Sequence, residues 1–516
     1  MKKNRLWIWL LAVPVALGCM DKKRGVYDPG PELPWNDSLL EVPLDLANEH
    51  SPSLALTNER QLTLEPAGAL AGPGMSPNLW IANTEEGTVS KIDTDTGKEL
   101  ARYRSGPGYP DPSRTTVGLN GDVVVANRTG SSAIRIHADP KTCPDRNKNG
   151  RIDTSAGPDD VRPWGQDECV LWHTQFAEQS LARGAAFDFR VDEDGAARVW
   201  IGLYNPRKLV ELNADTGRIE NEVTIDGNPY GLAFDGTGNL WAFCHGNDAI
   251  VRLDPRTQKW EAIRTNGCGY GITTDASGNV WVAGSSCVGR YNPASGEWVK
   301  KNHGSQLRGI AVDGKGSVWI ADTGFGVREI DAVTLESRRD LKLEGSGFIG
   351  VAVDHRSRVW VVSQDRSTAF RIDPTTLLPE AFPTGRRPYT YSDMTGFQLQ
   401  NAAPPQGFYR VRVDCGVNGA RWERLHWEGK TPEGTSIQFR VRVGDDPDTL
   451  GALPYRPAAR QPGDRSPAEL DPQLTASGGH NTGRYLELEV ILSSSTPDAQ
   501  PLLESARLQC SKPQGI

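Results

Sequence analysis

The sequence has few long hydrophobic runs and no excess of basic residues, and each shortage excludes a class of protein. Beyond about the first twenty residues long apolar runs are rare, and the mean hydropathy of −0.49 is that of a soluble chain. Lysine and arginine number 57 against 65 aspartates and glutamates, which gives a formal charge of −8. A nucleic-acid partner is therefore not expected, because DNA and RNA binding depends on basic surfaces.

The short motifs of several enzyme classes are also missing. There is no Gly-x-Ser-x-Gly, no His-Glu-x-x-His, no phosphate-binding loop and no dinucleotide fingerprint. None of the eight cysteines stands in a Cys-x-x-Cys pair, so no cysteine metal site is indicated. Most histidines are scattered and are interpreted as surface or packing residues.

One repeated pattern dominates the chain, and no helical period competes with it. A short apolar strand is followed by Asp, a Gly-containing turn and a strand centred on Trp. Five such tryptophans are 41, 40, 38 and 41 residues apart: Trp200, Trp241, Trp281, Trp319 and Trp360. An aspartate stands six residues before most of them: Asp235, Asp275, Asp313 and Asp354. A repeat of about 40 residues with four short strands predicts an all-β fold, a β-propeller.

Trp80 and Val124 mark two further blades, so about seven blades are predicted between residues 72 and 396. The stretch Pro388–Gly396 copies an innermost strand and is expected to complete the first blade, closing the ring. After a linker at 397–407, alternating apolar and polar residues predict a small antiparallel β-sandwich at 408–516. Residues 20–71 are interpreted as a tether that packs against the propeller.

The first nineteen residues are a targeting segment. A basic start precedes an apolar stretch, Leu6 to Leu17, which is too short to span a bilayer permanently. The segment ends in Ala-Leu-Gly-Cys, which resembles the lipobox of bacterial lipoproteins, and by that resemblance Cys19 carries the lipid. A secretory signal with a chance cysteine is the alternative. The expected location is the bacterial cell envelope, with a lipid anchor in the outer membrane and the leaflet left open.

An insertion predicted at about residues 143–179 carries an acidic loop. From Asp145 to Asp153 it resembles the first nine positions of an EF-hand-type calcium loop, with oxygen side chains at alternate positions and a turn-forming Gly150. The expected calcium ligands are Asp145, Asn147, Asn149, the carbonyl of Arg151 and Asp153. Ala156 replaces the acid at position twelve, so Asp159, Asp160 or Asp167 would have to complete the set. The alternative is a solvated acidic turn held by a disulfide.

Lipidation of Cys19 would leave seven cysteines, an odd number. The preferred pairs are Cys143–Cys169, Cys415–Cys510 and Cys268–Cys287. A hairpin turning near Ala276 would bring Cys268 beside Ser286, next to Cys287, and would leave Cys244 free. Pairing of Cys244 with Cys287 or with Cys268 remains open.

The repeats place several polar residues in one register near the channel. Glycines stand four residues before the repeated aspartates, where innermost strands crowd around the axis. The residues directly before those glycines should ring the mouth, and loops after the Trp strands open on the same face. The predicted ligand-binding residues are Arg183, Tyr230, Tyr270, Arg308, His245 and Asp322. They would suit a small polar ligand, a peptide or a glycan; a water-filled channel with ordinary loops is the alternative.

The stretch Pro229–Trp241, with the sequence PYGLAFDGTGNLW, resembles the blades of virginiamycin B lyases and of the wider NHL-repeat propellers. The resemblance covers roughly residues 79–396. That family uses His and Glu residues with a magnesium ion to eliminate across an ester bond. Its blade strand usually reads Trp-Phe-Thr-Glu, but here the Glu position is acidic only at Asp322, and His245 is the one histidine in these loops. The resemblance therefore implies the fold rather than the activity.

Three hypotheses follow from the sequence. The first is a lipid-anchored envelope protein that binds partners through its funnel face and sandwich and is not an enzyme. The second is a lyase-like or other metal-assisted enzyme acting on an ester or polysaccharide, with His245 as its catalytic candidate and magnesium as its ion. The third is a purely structural surface component.

Overall fold

The computed structural model describes most of the chain, and its regular structure is almost entirely β. The described residues are 20–21, 26–27, 38–48, 50, 54–64, 77–191, 197–403, 406–494 and 499–513. The predicted targeting segment and Cys19 lie outside these residues. None of the helices within the described part is long and apolar enough to cross a membrane. The predicted fold class, a propeller followed by a sandwich, is confirmed.

Seven antiparallel blades stand side by side in chain order, and in blades 2 to 7 the first strand is innermost; blades 5 and 6 are joined in one sheet by the long strand Glu297–Val312. Blade 2 contains Pro112–Val117, Val123–Asn127, Ser132–Ile136 and Val170–Gln175. Blade 3 contains Ala182–Val191, Ala197–Leu203, Lys208–Asn213 and Ile219–Thr224. Blade 4 contains Asn228–Phe234, Leu240–His245, Ala249–Asp254 and Lys259–Arg264. Blade 5 contains Gly271–Thr274, Val280–Asn292 and the start of Glu297–Val312. Blade 6 contains the end of Glu297–Val312 and the strands Ser317–Asp322, Gly326–Asp331 and Ser337–Lys342. Blade 7 contains Phe348–Val353, Val359–Ser363, Thr368–Ile372 and Pro379–Pro383.

Blade 1 contains only Asn78–Asn83, Thr88–Asp93 and Glu99–Arg104, and the end of the propeller supplies its innermost position. The amide of Trp80 donates to the carbonyl of Met394 at 2.8 Å, and the amide of Tyr389 donates to Ala82 at 3.0 Å. On the other side, the hydroxyl of Ser392 donates to the carbonyl of Thr115 in blade 2 at 2.7 Å. Residues 388–394 therefore close the ring in the way that the copied strand predicts.

The spacing between Asp and Trp has a direct cause in the structure. In blades 4 to 7 the buried indole Nε1 donates to the carboxylate six residues earlier. The four distances are 2.7 Å for Trp241–Asp235, 2.8 Å for Trp281–Asp275, 3.2 Å for Trp319–Asp313 and 2.8 Å for Trp360–Asp354. The same carboxylates accept backbone N–H groups of their turns, as in the 3.0 Å bond from Asn239 to Asp235. Each aspartate thus ties a turn to the core of its blade.

The repeated glycines lie where one innermost strand meets the next. A Cβ atom on Gly309 would lie 2.7 Å from the carbonyl oxygen of Ile349, and one on Gly271 would lie 2.5 Å from that of Arg308. A side chain at either position would meet backbone rather than a movable group. Glycine therefore permits the close approach of neighbouring blades at the channel.

The C-terminal sandwich is larger than its sequence pattern predicts, because the N-terminal segment belongs to it. The first sheet contains Met20–Asp21, Val26–Tyr27, Gln406–Asp414, Tyr485–Ser494, Thr435–Gly444 and Arg456–Gln461. The second sheet contains Ala468–Glu469, Arg421–Lys430, Leu502–Ser511, Leu62–Leu64, Leu54–Leu56 and Ser38–Glu41. Ser38–Glu41 pairs with Arg507–Cys510, and the side chains of Leu40 and Leu62 are buried in the sandwich core. The prediction that residues 20–71 pack on the propeller is wrong for Ser38–Glu41, Leu54–Leu56 and Leu62–Leu64, because Leu40, Leu54, Leu62 and Leu64 are buried in the sandwich core instead.

Two further boundaries differ from the sequence-based expectation. The predicted linker begins with helix α1, Phe397–Ala402, which packs beneath the innermost strands of blades 4, 5 and 7. The predicted insertion ends too late, because Val170–Gln175 is the outermost strand of blade 2 and the excess chain lies before it. A second helix, α2 at Leu470–Ala476, lies in the region for which the sequence predicts only a β-sandwich.

Candidate functional site

Five of the six predicted ligand-binding residues meet at one mouth of the channel. The hydroxyls of Tyr230 and Tyr270 are 3.0 Å apart. The guanidinium of Arg183 lies 4.3 Å from the centre of the Tyr230 ring, and that of Arg308 lies 4.6 Å from the Tyr270 ring. His245 stacks on Tyr230 with 4.0 Å between ring centres and an interplanar angle of 17°. The register inferred from the repeats is therefore realised in space.

Three more residues complete this group. Tyr389 stands 3.1 Å from the Tyr230 hydroxyl and also hydrogen-bonds to that of Tyr270, so three phenols form a closed triangle. Tyr391 accepts a 3.1 Å bond from Arg183. Arg114 lies 3.0 Å from the centre of the Tyr391 ring and 4.8 Å from that of Tyr230. We call the eight residues together the mouth cluster: Arg114, Arg183, Tyr230, His245, Tyr270, Arg308, Tyr389 and Tyr391.

The mouth cluster has a buried base and a partly exposed rim. Arg114 is 0% exposed and Arg183 is 4% exposed, and Tyr391 is also buried. Tyr270 and Arg308 are partly exposed. A molecule approaching from solvent would therefore meet phenol and imidazole rings first and the guanidinium groups of Arg114 and Arg183 beneath them.

The electrostatics of the mouth cluster are dominated by cations. Burial, together with the charges of Arg183, Arg114 and Arg308, lowers the pKa of His245 to about 4, so its imidazole is neutral at neutral pH. Burial lowers the pKa of Arg114 to about 9, with a contribution from Arg183. Burial alone would raise the pKa of Tyr389, but the charges of Arg114 and Arg183 outweigh it and bring that pKa down to about 8. Burial raises the pKa of Tyr270.

Asp322 is the one predicted member that does not join the mouth cluster. Its side chain is fully buried and its carboxylate pairs with Arg328 within blade 6 at 2.7 Å. The prediction is wrong because the end of the Trp strand turns this side chain towards the neighbouring strand rather than towards the channel. Asp322 therefore stabilises blade 6.

Arg114, Tyr389 and Tyr391 are the members of the mouth cluster that sequence reasoning missed. Ala126 pairs with Arg114 in blade 2 as Phe243 pairs with Gly231 in blade 4, so Arg114 occupies the register of the glycines. Blade 2 has Val124 instead of the Trp marker, and its first strand lacks the Gly signature. Tyr389 occupies the register of Tyr230 in the copied strand, and extending the aligned column to that copy would have found it.

Helix α1 closes the end of the channel opposite the mouth cluster. Gln398 donates to the carbonyl of Ile310 at 3.0 Å, and the carbonyl of Ala402 lies against Gly236. Leu399 and Gln398 line one side of a small cavity of about 20 Å³, and innermost strands line the other. Within the described residues, helix α1 thus covers the base of the channel, and the mouth cluster lies at the other end.

The insertion loop brings its predicted calcium ligands together. The amide groups of Asn147 and Asn149 contact the same Asp153 oxygen at 2.8 and 2.7 Å, and Asp145 accepts the N–H of Gly150 at 2.8 Å. None of the proposed twelfth ligands closes this loop: Glu168 does, accepting the N–H groups of residues 146 and 153, both at 2.7 Å. The donors are oxygens of the type that calcium prefers. Among the residues described, no group of three or more His, Cys, Asp or Glu is arranged to hold a metal ion.

The three preferred disulfides are present in the structure. They join Cys143 with Cys169, Cys268 with Cys287, and Cys415 with Cys510. Cys244 is a free buried thiol, and burial raises its pKa to about 12, so it is a packing residue rather than a nucleophile.

Comparison with known proteins finds similarity only among solved structures. No protein-family model and no curated protein matches the chain. A catalytically inactive virginiamycin B lyase from Staphylococcus aureus, solved with quinupristin, is similar at 16% identity and a TM-score of 0.41, over 53% of this chain and 84% of that one. A streptogramin B lyase structure has 14% identity and a TM-score of 0.43, over 63% and 94%. A protein of unknown function from Bacteroides caccae has 15% identity and a TM-score of 0.36, over 52% and 95%. No functional conclusion is drawn from these similarities; the seven blades, two of which share one six-stranded sheet, define this chain as a propeller.

Proposed function

We propose that this protein is a lipid-anchored binding protein of the bacterial cell envelope, and that it takes a small polar ligand, a glycan end or a peptide end at the mouth cluster. The observation that carries the proposal is the convergence of Arg183, Tyr230, Tyr270 and Arg308 on one opening, with His245 stacked beside them. Aromatic faces pack against sugar rings or apolar side chains, and guanidinium groups donate to carboxylates or sulfates.

The test is a double variant, Tyr230→Ala with Arg308→Ala, against a glycan array and a dipeptide library. We expect the wild type to bind at least one class and the double variant to lose that binding while keeping its melting temperature within a few degrees. Trp260→Ala with Arg256→Ala is the matched control, because it removes an aromatic ring and a cation from the exposed outer part of blade 4, the blade that contains Tyr230. Equal binding by both double variants would contradict the proposal.

The alternative function, a lyase of the virginiamycin B lyase type or another metal-assisted enzyme, depends on His245. An imidazole whose pKa is lowered to about 4 is a weak general base, and its stacking on Tyr230 favours a packing role. If turnover of an ester or polysaccharide is detected, His245→Ala should abolish it. Turnover that survives this change would assign the activity to other residues.

The anchor is proposed on the basic start, the apolar stretch and Cys19. Lipidation at one cysteine gives membrane attachment through acyl chains without a spanning helix. We expect Cys19→Ala to move the protein from the membrane fraction to the soluble fraction. Unchanged fractionation of Cys19→Ala would reject the lipid anchor.

Calcium binding is proposed for the insertion loop. The convergence of Asn147 and Asn149 on Asp153 supports it, since rotation of the two amides would direct their oxygens to a shared ion. Calorimetry should detect calcium at up to millimolar concentration, and Asp145→Ala should remove the heat. Asp373→Ala is the control, because Asp373 also accepts backbone N–H groups in an exposed turn but lies in blade 7. No heat from the wild type would reject the site.

A further inference from the structure

The mouth cluster contains three arginines and no carboxylate partner for them. Among the described residues, no Asp or Glu lies within ion-pairing distance of Arg114, Arg183 or Arg308. Other buried arginines of the propeller are paired: Arg135, for example, contacts Asp122 at 2.8 Å and Asp215 at 3.0 Å. The mouth cluster therefore differs from the rest of the propeller in holding arginines that form no ion pair with a described carboxylate.

Donor atoms of the two deepest arginines also lack acceptors. Arg114 Nε and Nη2 and Arg183 Nε are buried and have no hydrogen-bond partner within the described structure. Arg114 donates only from Nη1, to the carbonyl of Ser113 at 3.0 Å. A buried charged donor without an acceptor costs more than a neutral one, because the water that solvated it is not replaced. An acceptor that carries negative charge would satisfy these donors and also balance the buried charge of the two arginines.

We propose that Arg114 and Arg183 form a binding site for an oxyanion, a carboxylate or sulfate-like group of the ligand, at the base of the mouth cluster. This proposal rests on the proposed function and identifies the chemical class of the ligand group that lies deepest in the mouth cluster. The planar guanidinium group donates two parallel N–H bonds to carboxylate or sulfate oxygens. The phenol triangle above adds hydroxyl donors, and neutral His245 adds no competing charge.

The phenolate of Tyr389 is the other source of negative charge that could serve the two arginines. The groups that face Tyr389 are Arg114, Arg183, Arg128, Tyr230, Tyr270 and Tyr391, and Arg128 is already paired with Asp111 at 2.6 Å. Because the pKa of Tyr389 is about 8, its hydroxyl is mostly protonated at pH 6.5. Below pH 7 the arginines would then depend on an external anion.

The experiment measures anion binding to the full mature chain at pH 6.5 and constant ionic strength. Sodium sulfate, phosphate and acetate are titrated against chloride, with tryptophan fluorescence and melting temperature as readouts. We expect saturable binding with one site per chain, weakened about tenfold in Arg114→Lys and in Arg183→Lys, which keep a charge but lose donors. Arg290→Lys is the control, because Arg290 also lies over an aromatic ring, that of Trp281, but in blade 5 and away from the mouth cluster.

Tyr389→Phe separates the two sources of charge. If an external anion is the partner, this variant keeps anion binding and loses only the tyrosine that titrates near pH 8 in the absorbance at 295 nm. Three results would overturn the proposal: no saturable anion effect, equal binding by the wild type and both lysine variants, or an adventitious ion only, in which chloride competes equally with the oxyanions. If a glycan or peptide still binds through Tyr230 and Arg308 while all three anions fail, the oxyanion site is wrong and the proposed function stands.

Discussion

At the scale of single residues, the repeated aspartates each connect the turn of a blade to its central tryptophan. Asp235 accepts the indole N–H of Trp241 at 2.7 Å and the turn N–H groups of Thr237 and Asn239 at 2.9 and 3.0 Å. Replacing it leaves three donors without their acceptor, one of them fully buried. We expect Asp235→Ala to lower the free energy of unfolding by about 1–3 kcal/mol, measured by urea denaturation. Asp254→Ala, in an exposed turn of the same blade, should cost less than about 1 kcal/mol; equal losses would contradict this account.

The same scale separates what sequence can predict from what it cannot. Residues that repeat, such as Tyr230 and Tyr270, reveal their common position through spacing, because the same local backbone recurs every 40 residues or so. Arg114 is unique in its column, so no repetition points to it. Asp322 follows its Trp strand as predicted, but the direction of a strand-end side chain depends on Arg328, which lies on the next strand. The spacing of residues within a repeat does not show which side chain on a neighbouring strand will form an ion pair with a given residue.

At the scale of elements, the contact between innermost strands limits which residues the chain tolerates. A methyl group on Gly309 would lie 2.7 Å from the Ile349 carbonyl oxygen and 3.0 Å from the Val351 amide nitrogen, and neither backbone atom can move without shifting blade 7. We expect Gly309→Ala to destabilise the propeller by about 1–3 kcal/mol, because overpacking forces the strands apart. Gly324→Ala is the control, since a Cβ there meets nothing within 4 Å. Differential scanning calorimetry should separate the two; equal melting temperatures would contradict the packing argument.

Strands were predictable as elements, whereas short helices were not. Trp and Asp markers locate the middle of each blade, and hydrophobic burial on both faces fixes those strands. Helix α1 has only six residues, which is too short for a helical period to be detected in the sequence. Its position is set by its packing against the innermost strands at the base of the channel. The N-terminal strands are equally short, and their apolar residues give no sign of which domain they join.

At the scale of the whole molecule, the sandwich is assembled from both ends of the chain. Residues 406–513 supply most of it, but Leu40, Leu54, Leu62 and Leu64 fill its core. We expect residues 406–516 alone to be unstable and to aggregate, because apolar surface and the edge of Leu502–Ser511 would be exposed. Co-expression with residues 20–71 should restore a soluble complex, measured by size-exclusion chromatography. A stable, monomeric 406–516 fragment would contradict this.

Helix α1 limits how a polymer can meet this protein. With the far side of the channel covered by Leu399 and its neighbours, nothing can thread through the ring from one face to the other. A polysaccharide or polypeptide would have to enter with a terminus first and retreat by the same route. If the mouth cluster binds a polymer as proposed, it would therefore recognise a chain end, such as a reducing-end uronate or a peptide C-terminus, and not the interior of a long strand.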